Sequence, residues 1–252
     1  MKDRLSFRDI NREFDSVFST KFGLYNDNSG PLRAHVHIGP VEPPPMKGKL
    51  PLYSQNNMQQ LQIEADKLEA EGVLARPEDL GIQVKFVSPS FLVTKPNGEY
   101  RFVTAFNNLG TYTRILPTAG KSCDTVLRRL SSFRFLIKTD FTKSFFQIRL
   151  AKSSMPYVGT VTPFKGLRVY TRPAMGMPGS SEYLQELTAR VLGDYLQEGF
   201  LVLIDDDLNI GANDIPTLLH RWTLVLARLR DNGLTLSAPK TIICPKSVVI
   251  LG

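Results

Sequence analysis

Three consecutive aspartates, Asp205, Asp206 and Asp207, interrupt an apolar run, with Phe200 to Ile204 before them and Leu208 and Ile210 after. Like charges a few Å apart repel, and burial raises the cost of each ionised form. Something cationic must offset them. The simplest arrangement is a polar turn whose carboxylates face water and cap loop amides. A fourth carboxylate widens the choice. Asp140 ends a strand read from the alternation of Phe133, Phe135 and Ile137, and neighbouring strands can bring two such ends together around a pair of divalent ions. Two ions about 3.5–4 Å apart stabilise the attacking and leaving oxygens of an in-line phosphoryl transfer. Mg2+ is a hard ion that prefers oxygen ligands and shares its coordination sphere with substrate phosphates.

The elements that must position these carboxylates follow from periodicity. Phe200 to Ile204 reads as a buried strand, and Leu208 and Ile210 as its return. Before it, Ser181 opens a helix with Leu184, Leu187, Val191 and Tyr195 on one stripe and Gly199 past its end. After it, Asp214 and Pro216 start a helix that carries Leu218, Leu219, Trp222, Val225, Leu226 and Leu229 and stops at Gly233. Upstream, Ser54 can cap a helix through Met58, Leu61, Ala65 and Leu68 that ends at Gly72. Phe91 and Val93, a Pro96-Asn97-Gly98 turn, and Tyr100, Phe102 and Thr104 predict a hairpin with a basic tip. A short helix capped by Asp124 precedes the Asp140 strand. Residues 1 to about 50 hold Gly30, Pro31, Gly39, Pro40 and Pro43-Pro44-Pro45, a composition that predicts an extended arm with little regular structure.

The chain has 252 residues, 42% hydrophobic and 22% charged, enough for one large domain or two small ones. Its net charge of +7 and pI near 9.4 favour a polyanionic partner. Cys123 and Cys244 lie far apart with no CxxC and no His at ligand spacing, which speaks against a zinc site or a disulfide scaffold and for a reducing compartment. No run approaches the roughly 18 apolar residues of a membrane span, and MKDRLSFRDINREF lacks the apolar core of a signal peptide. The expectation is a soluble, intracellular protein with no membrane partner.

The stretches IKTDFTKSFFQI around Asp140, AMGMPGSSEYLQ from Ala174 to Gln185, and LIDDDLNIG from Leu203 to Gly211 resemble, in order, the three central palm motifs of reverse transcriptases. The flanks SFLVTKPNGEYRFV and LTLSAPKTIICPKSVVILG resemble those of gypsy-type LTR retrotransposon Pol polyproteins, and the likeness spans roughly residues 50 to 252. It implies an α+β right-hand polymerase fold, with an antiparallel palm sheet packed on helices. An N-terminal arm would cover 1–50, fingers 51–135, and palm 136–252 with a fingers insertion near 155–170. The chain would stop before the thumb, leaving the thumb, connection and RNase H regions to the full polyprotein.

The resemblance places the metal-binding carboxylates at Asp140, Asp206 and Asp207. The register with Asp206 and Asp207 as the pair puts Leu208 and Ile210 at the family's apolar positions, whereas Asp205 and Asp206 would put Asp207 and Asn209 there. Ile204 then stands where the family usually has Tyr. The Phe141 carbonyl would be a further metal ligand. Backbone amides of Lys143 and Ser144 would face the triphosphate, Phe145 would be the steric gate against a ribose 2'-hydroxyl, and Lys95 and Arg101 would grip phosphates. Met175, Gly176 and Gln185 would lie along the nucleotide, and Lys240 would protonate the leaving pyrophosphate. After the finger hairpin, Ala105 to Gly110 departs from the family's Asp-Tyr-Arg-x-Leu-Asn.

The implied function is two-metal addition of deoxynucleotides to a primer 3'-hydroxyl on an RNA or DNA template, with Mg2+ or Mn2+ as cofactor. Template, DNA primer and deoxynucleoside triphosphates would be the partners, in the cytoplasm within a virus-like particle or in the nucleus. Two rivals share the sequence: an inactive remnant that binds nucleic acid, and a protein-interaction module.

Overall fold

A computed structural model describes residues 2–46, 48–114, 123–204 and 206–247. Among these the α-helices are α1 (Lys2–Glu13), α2 (Gln55–Ala70), α3 (Pro77–Leu80), α4 (Asn107–Gly110), α5 (Cys123–Ser131), α6 (Ser180–Glu198) and α7 (Ile215–Asp231). The strands are β1 (Leu74–Ala75), β2 (Ser90–Thr94), β3 (Tyr100–Thr104), β4 (Phe135–Asp140), β5 (Gly159–Thr162), β6 (Gly166–Tyr170), β7 (Leu201–Ile204), β8 (Asp207–Ala212) and β9 (Ile242–Ile243). They form three antiparallel sheets, ordered β1-β6-β5, β2-β3 and β7-β8-β4-β9. Two compact units divide the chain, one made of residues 1–32, 118–147 and 184–252, the other of 33–117 and 148–183. The expected boundary at 50 falls inside the second unit and that at 135 inside the first.

The first unit is organised by the four-stranded sheet. In β4 and β8 the apolar side chains of Ile137, Leu208, Ile210 and Ala212 are fully buried, as is Thr139. Register is fixed over six pairs from Phe135↔Ala212 to Asp140↔Asp207. Gly211 is required on packing grounds: a Cβ there would come within 2.1 Å of the Phe133 ring. Helix α7 begins at an N-cap, Asp214, whose side chain accepts from the Thr217 amide at 2.8 Å, with Pro216 in the first turn. Its stripe of Leu218, Trp222, Val225, Leu226 and Leu229 is fully buried, and α7 packs on β8, β4 and α1. Val126 and Leu130 of α5 pack with Val202, Leu136 and Ile204 of the same sheet.

Two expectations fail in this unit. The N-terminal stretch is not extended throughout: α1 runs for 12 residues. Asn11 of α1 accepts from the Trp222 indole at 2.8 Å, and Phe18 bridges Leu236. Tertiary docking thus supplies what the weak local pattern did not announce. Asp124 does not cap α5 but lies within its first turn, where a carboxylate complements the exposed amides without sitting at the cap.

In the second unit, Ser54 caps α2 by accepting from the Asn57 amide, and Gly72 follows the helix at φ 71°. The hairpin β2-β3 turns through residues 95–98, closed by Lys95 N–H to Glu99 O at 2.7 Å, with Gly98 at φ 82° as its left-handed residue. A buried hydroxyl network ties the two sheets: Ser90 Oγ lies 2.5 Å from Thr104 Oγ1 and 2.6 Å from Thr160 Oγ1, and Thr104 lies 2.7 Å from the Tyr170 hydroxyl. The segment near 155–170 forms the β5-β6 hairpin, joined in one sheet with β1.

Candidate active site

The first unit brings the carboxylates of two separate motifs together. Asp140 ends β4 and Asp207 opens β8, and the two are cross-strand partners. Directly opposed like charges in a sheet are unfavourable, so this pairing needs cations, and the chain supplies two. Lys240, in a turn of 3-10 helix over Ala238–Lys240, donates to Asp140 Oδ2. Lys138 lies on the same face of β4 as Asp140, two residues before it, and its ammonium sits 2.7 Å from Asp207 Oδ2. The Ser144 hydroxyl donates to Asp206 Oδ2 at 3.2 Å. Asp205 lies outside the described residues.

Asp140 is the most perturbed member. It is 3% exposed, and its Oδ1 is buried with no hydrogen-bond partner among the described residues. Burial pushes its carboxyl up to about 6, against the Lys240 contact, which lowers it, and with the charges of Asp206 and Asp207, which raise it further. In return, the Asp140 contact raises the Lys240 ammonium. Burial wins for the acid because Lys240 itself is largely solvated, with a side chain 67% exposed. A buried acceptor left without a donor costs about 1–3 kcal/mol, which a bound cation would recover.

Whether a divalent ion suits this set can be judged from its donors. All are hard carboxylate oxygens, one of them orphaned and buried, and the lysine ammoniums gather where positive charge is demanded. Among the described residues, however, no group of three or more His, Cys, Asp or Glu side chains stands ready-made around an ion position. The donor chemistry fits a hard cation; as they stand, Asp140 and Asp207 are engaged by lysines and Asp206 by Ser144.

Segment 141–147 follows Asp140 directly and carries Ser144, whose hydroxyl reaches Asp206. Phe141 is 3% exposed and bridges Leu236. Lys143 takes φ 49°, a left-handed conformation uncommon for a lysine, and its ammonium lies 5.7 Å from the Phe22 ring. Ser144 is buried, and Phe145 is half-buried. Gln147, 1% exposed, anchors the segment: its Nε2 donates to the carbonyls of Thr142 and Thr235 at 2.8 and 2.9 Å, and its Oε1 accepts from the Thr235 amide at 2.8 Å. Gln185 lies exposed on α6.

Four predicted nucleotide-binding residues belong to the second unit. Lys95 pairs with Glu99 across the hairpin turn at 2.8 Å. Arg101 Nη1 lies 3.9 Å from Met175 Sδ, and Met175 is 61% exposed. Gly176 takes φ 78°, and nothing lies within 4 Å of where its Cβ would be. Its glycine identity therefore follows from backbone conformation and leaves open space above it.

The sequence reading missed Lys138 and did not anticipate that Ser144 engages Asp206 through its side chain. A signal for Lys138 existed: two residues before Asp140, it had to share that residue's face of the strand.

The family model "Reverse transcriptase (RNA-dependent DNA polymerase)" matches residues 94–252. A polyprotein of Cassava vein mosaic virus is 24% identical over 217 residues, covering 83% of this chain and 31% of that protein. The Gag-Pro-Pol polyprotein of Bovine leukemia virus is 26% identical over 233 residues, covering 87% of this chain and 16% of that protein. This chain thus spans less than a third of either relative. A foamy viral protease-reverse transcriptase, solved in complex with an RNA/DNA hybrid, superposes with a TM-score of 0.84 at 17% identity, over 100% of this chain and 32% of that one. At that identity the likeness speaks for the fold: mixed helices and antiparallel sheets in the fingers-and-palm arrangement of these polymerases, the α+β class expected from the sequence.

Proposed function

Because this chain belongs to the reverse transcriptase (RNA-dependent DNA polymerase) family, we propose that it extends a DNA primer with deoxynucleotides on an RNA or DNA template, as part of a gypsy-type retroelement Pol polyprotein. The observation that carries this reading is the cross-strand pair Asp140 and Asp207, with Asp206 beside it and the Asp140 Oδ1 buried and unpartnered. Reverse transcriptases generally work with divalent metal ions; here Asp140, Asp206, Asp207 and the Phe141 carbonyl would hold them, with Mg2+ first and Mn2+ as a substitute. Such ions supply charge stabilisation at the attacking and leaving oxygens of phosphoryl transfer.

The chain's own residues do the positioning. Ser144 orients Asp206, and Lys138 orients Asp207. Asp140 keeps Lys240 protonated, so that the ammonium has a proton to give to the leaving pyrophosphate. Phe145 would exclude a 2'-hydroxyl by contact, the amides of Lys143 and Ser144 would meet the triphosphate, and Lys95 and Arg101 would hold its outer phosphates. Met175, the open space over Gly176, and Gln185 would border the base and sugar. The second compact unit, with the β2-β3 and β5-β6 hairpins, corresponds to fingers, and the first, with the carboxylate sheet, to palm. Template and primer backbones would use the net positive charge of +7. The setting would be a virus-like particle in the cytoplasm, or the nucleus.

The test is extension of oligo(dT) on poly(A) with dTTP and Mg2+, by the chain alone and with a reverse-transcriptase thumb fused after Gly252. Incorporation that disappears with Asp140→Asn is expected. No incorporation from either form, with salt-sensitive nucleic-acid binding intact, would replace this reading by that of an inactive binding remnant.

A further inference from the structure

The second compact unit contains a cavity of about 450 Å³ that the polymerase reading does not use. Four cationic side chains line it, Arg33, Arg149, Lys152 and Arg172, together with His35 and Thr171; no Asp or Glu is among the described lining residues. None of these positions was singled out by sequence motifs.

Arg172 is the unusual member. Its Nε and Nη1 are buried and find no hydrogen-bond partner among the described residues. A guanidinium in that state is costly, since burying a charge is tolerated only when it is paired and hydrogen-bonded. Neighbouring charge makes matters worse: burial, then Arg149, then Arg33 push the Arg172 guanidinium below its ordinary value. The fold thus holds like charges around a concave space and leaves donors on one of them unspent. An anion inside would satisfy the donors and relieve the repulsion together.

We propose that this cavity binds a small, multiply charged anion carrying phosphate groups, with Arg172 as the central donor and Arg149 and Lys152 at the mouth. Size and charge select the class. A water occupies about 30 Å³ of liquid volume, so 450 Å³ exceeds the needs of a single inorganic ion and suits a ligand with two or more linked phosphates. Arginine forks match phosphate oxygens, and Arg149 and Lys152 are both exposed, within reach of an incoming ligand. A nucleic-acid strand is the weaker fit. The walls include Leu80, Leu150 and Met155, and among the described residues no Phe, Tyr or Trp lines the cavity to stack a base.

Inorganic tripolyphosphate is the probe, titrated into the full chain by calorimetry in EDTA at about 0.15 M salt so that metal-dependent binding at the carboxylates is silent. Saturable binding and a raised melting temperature are expected. Loss of a charge-assisted bond implies a weakening of about 10- to 100-fold in Arg172→Met. That variant should also melt higher than wild type without ligand, because the unpaired buried charge is gone. The surface pair Arg149→Ser/Lys152→Ser provides a second reading that leaves buried groups untouched, and should weaken binding by a similar factor. Lys95→Gln/Arg101→Gln, at the residues placed on the nucleotide's phosphates, should bind tripolyphosphate as wild type does, which separates this cavity from the polymerase site. Binding indifferent to Arg172 and to the Arg149/Lys152 pair would overturn the proposal. So would Arg172-dependent binding of single-stranded oligo(dT) with none of tripolyphosphate, which would make the cavity part of a strand-binding track.

Discussion

Replacing Asp140 by asparagine should stabilise the metal-free protein at neutral pH. The carboxyl goes from an ordinary value of 3.8 to about 6 on folding, chiefly because it is buried. Between those values the folded chain holds a proton that the unfolded chain has released, so unfolding free energy falls as pH rises through the window. A shift of roughly 2 units corresponds to about 3 kcal/mol at pH 7.5 and, by the same linkage, about 1 kcal/mol at pH 4.5. Asparagine keeps the shape and has no charge to bury. Its loss of the Lys240 contact costs little, because that side chain is 67% exposed and can be hydrated instead. Urea unfolding in EDTA at the two pH values, extrapolated to water, gives both differences. The variant should exceed wild type by about 2–3 kcal/mol at pH 7.5, with the gap narrowing at pH 4.5. Added Mg2+ should raise wild-type stability and leave the variant nearly unchanged, since only a form that binds the ion gains from it. An asparagine variant less stable than wild type at pH 7.5 would refute the reasoning, because it would mean that the Lys240 pair outweighs burial.

Other outcomes follow from the same geometry. Phe145→Val should raise incorporation of ribonucleotides relative to deoxynucleotides by about 10- to 100-fold, measured as a ratio of kcat/KM values, if the ring is the barrier to a 2'-hydroxyl. Lys138→Met should strand Asp207 without its 2.7 Å partner and raise the metal-ion affinity read by isothermal titration, because a competing cation has been removed. Lys95→Gln should raise the KM for dTTP by about 10- to 100-fold, with primer-template affinity unchanged, if the lysine holds an outer phosphate of the nucleotide. Trp222→Ala, which empties a fully buried position and orphans Asn11, should cost about 3–5 kcal/mol by urea unfolding.

Much of the carboxylate sheet was legible because its signals are local. The alternation of Phe133, Phe135 and Ile137 marks β4, the apolar run before Asp205 marks β7, and Asp214 with Pro216 marks the start of α7. These need only period and cap chemistry. The juxtaposition of Asp140 with Asp207 came from motif order, since strand pairing across some 67 positions leaves no trace in spacing. What was not legible depends on distant partners. Helix α1 is held by Trp222 and by packing on α7, neither of which its own sequence can advertise. Lys138 looked like an ordinary polar position on a strand until its neighbour on β8 was known. The Arg172 cavity joins residues from stretches around 33, 80, 150 and 172, each unremarkable alone.

The anchoring of α1 also sets a timetable. On a ribosome α1 emerges before α7, and Asn11 and Trp222 are 211 residues apart in sequence. At roughly 5–20 residues per second, about ten to forty seconds pass before its docking surface exists. A helix of 12 residues is marginal by itself in water, so α1 must wait for α7 while the hairpins of the second unit, local in sequence, can close as they appear. Nascent chains are therefore exposed to chaperones and proteases at α1 until α7 has emerged, and the carboxylate sheet is completed only when β9 adds to β4.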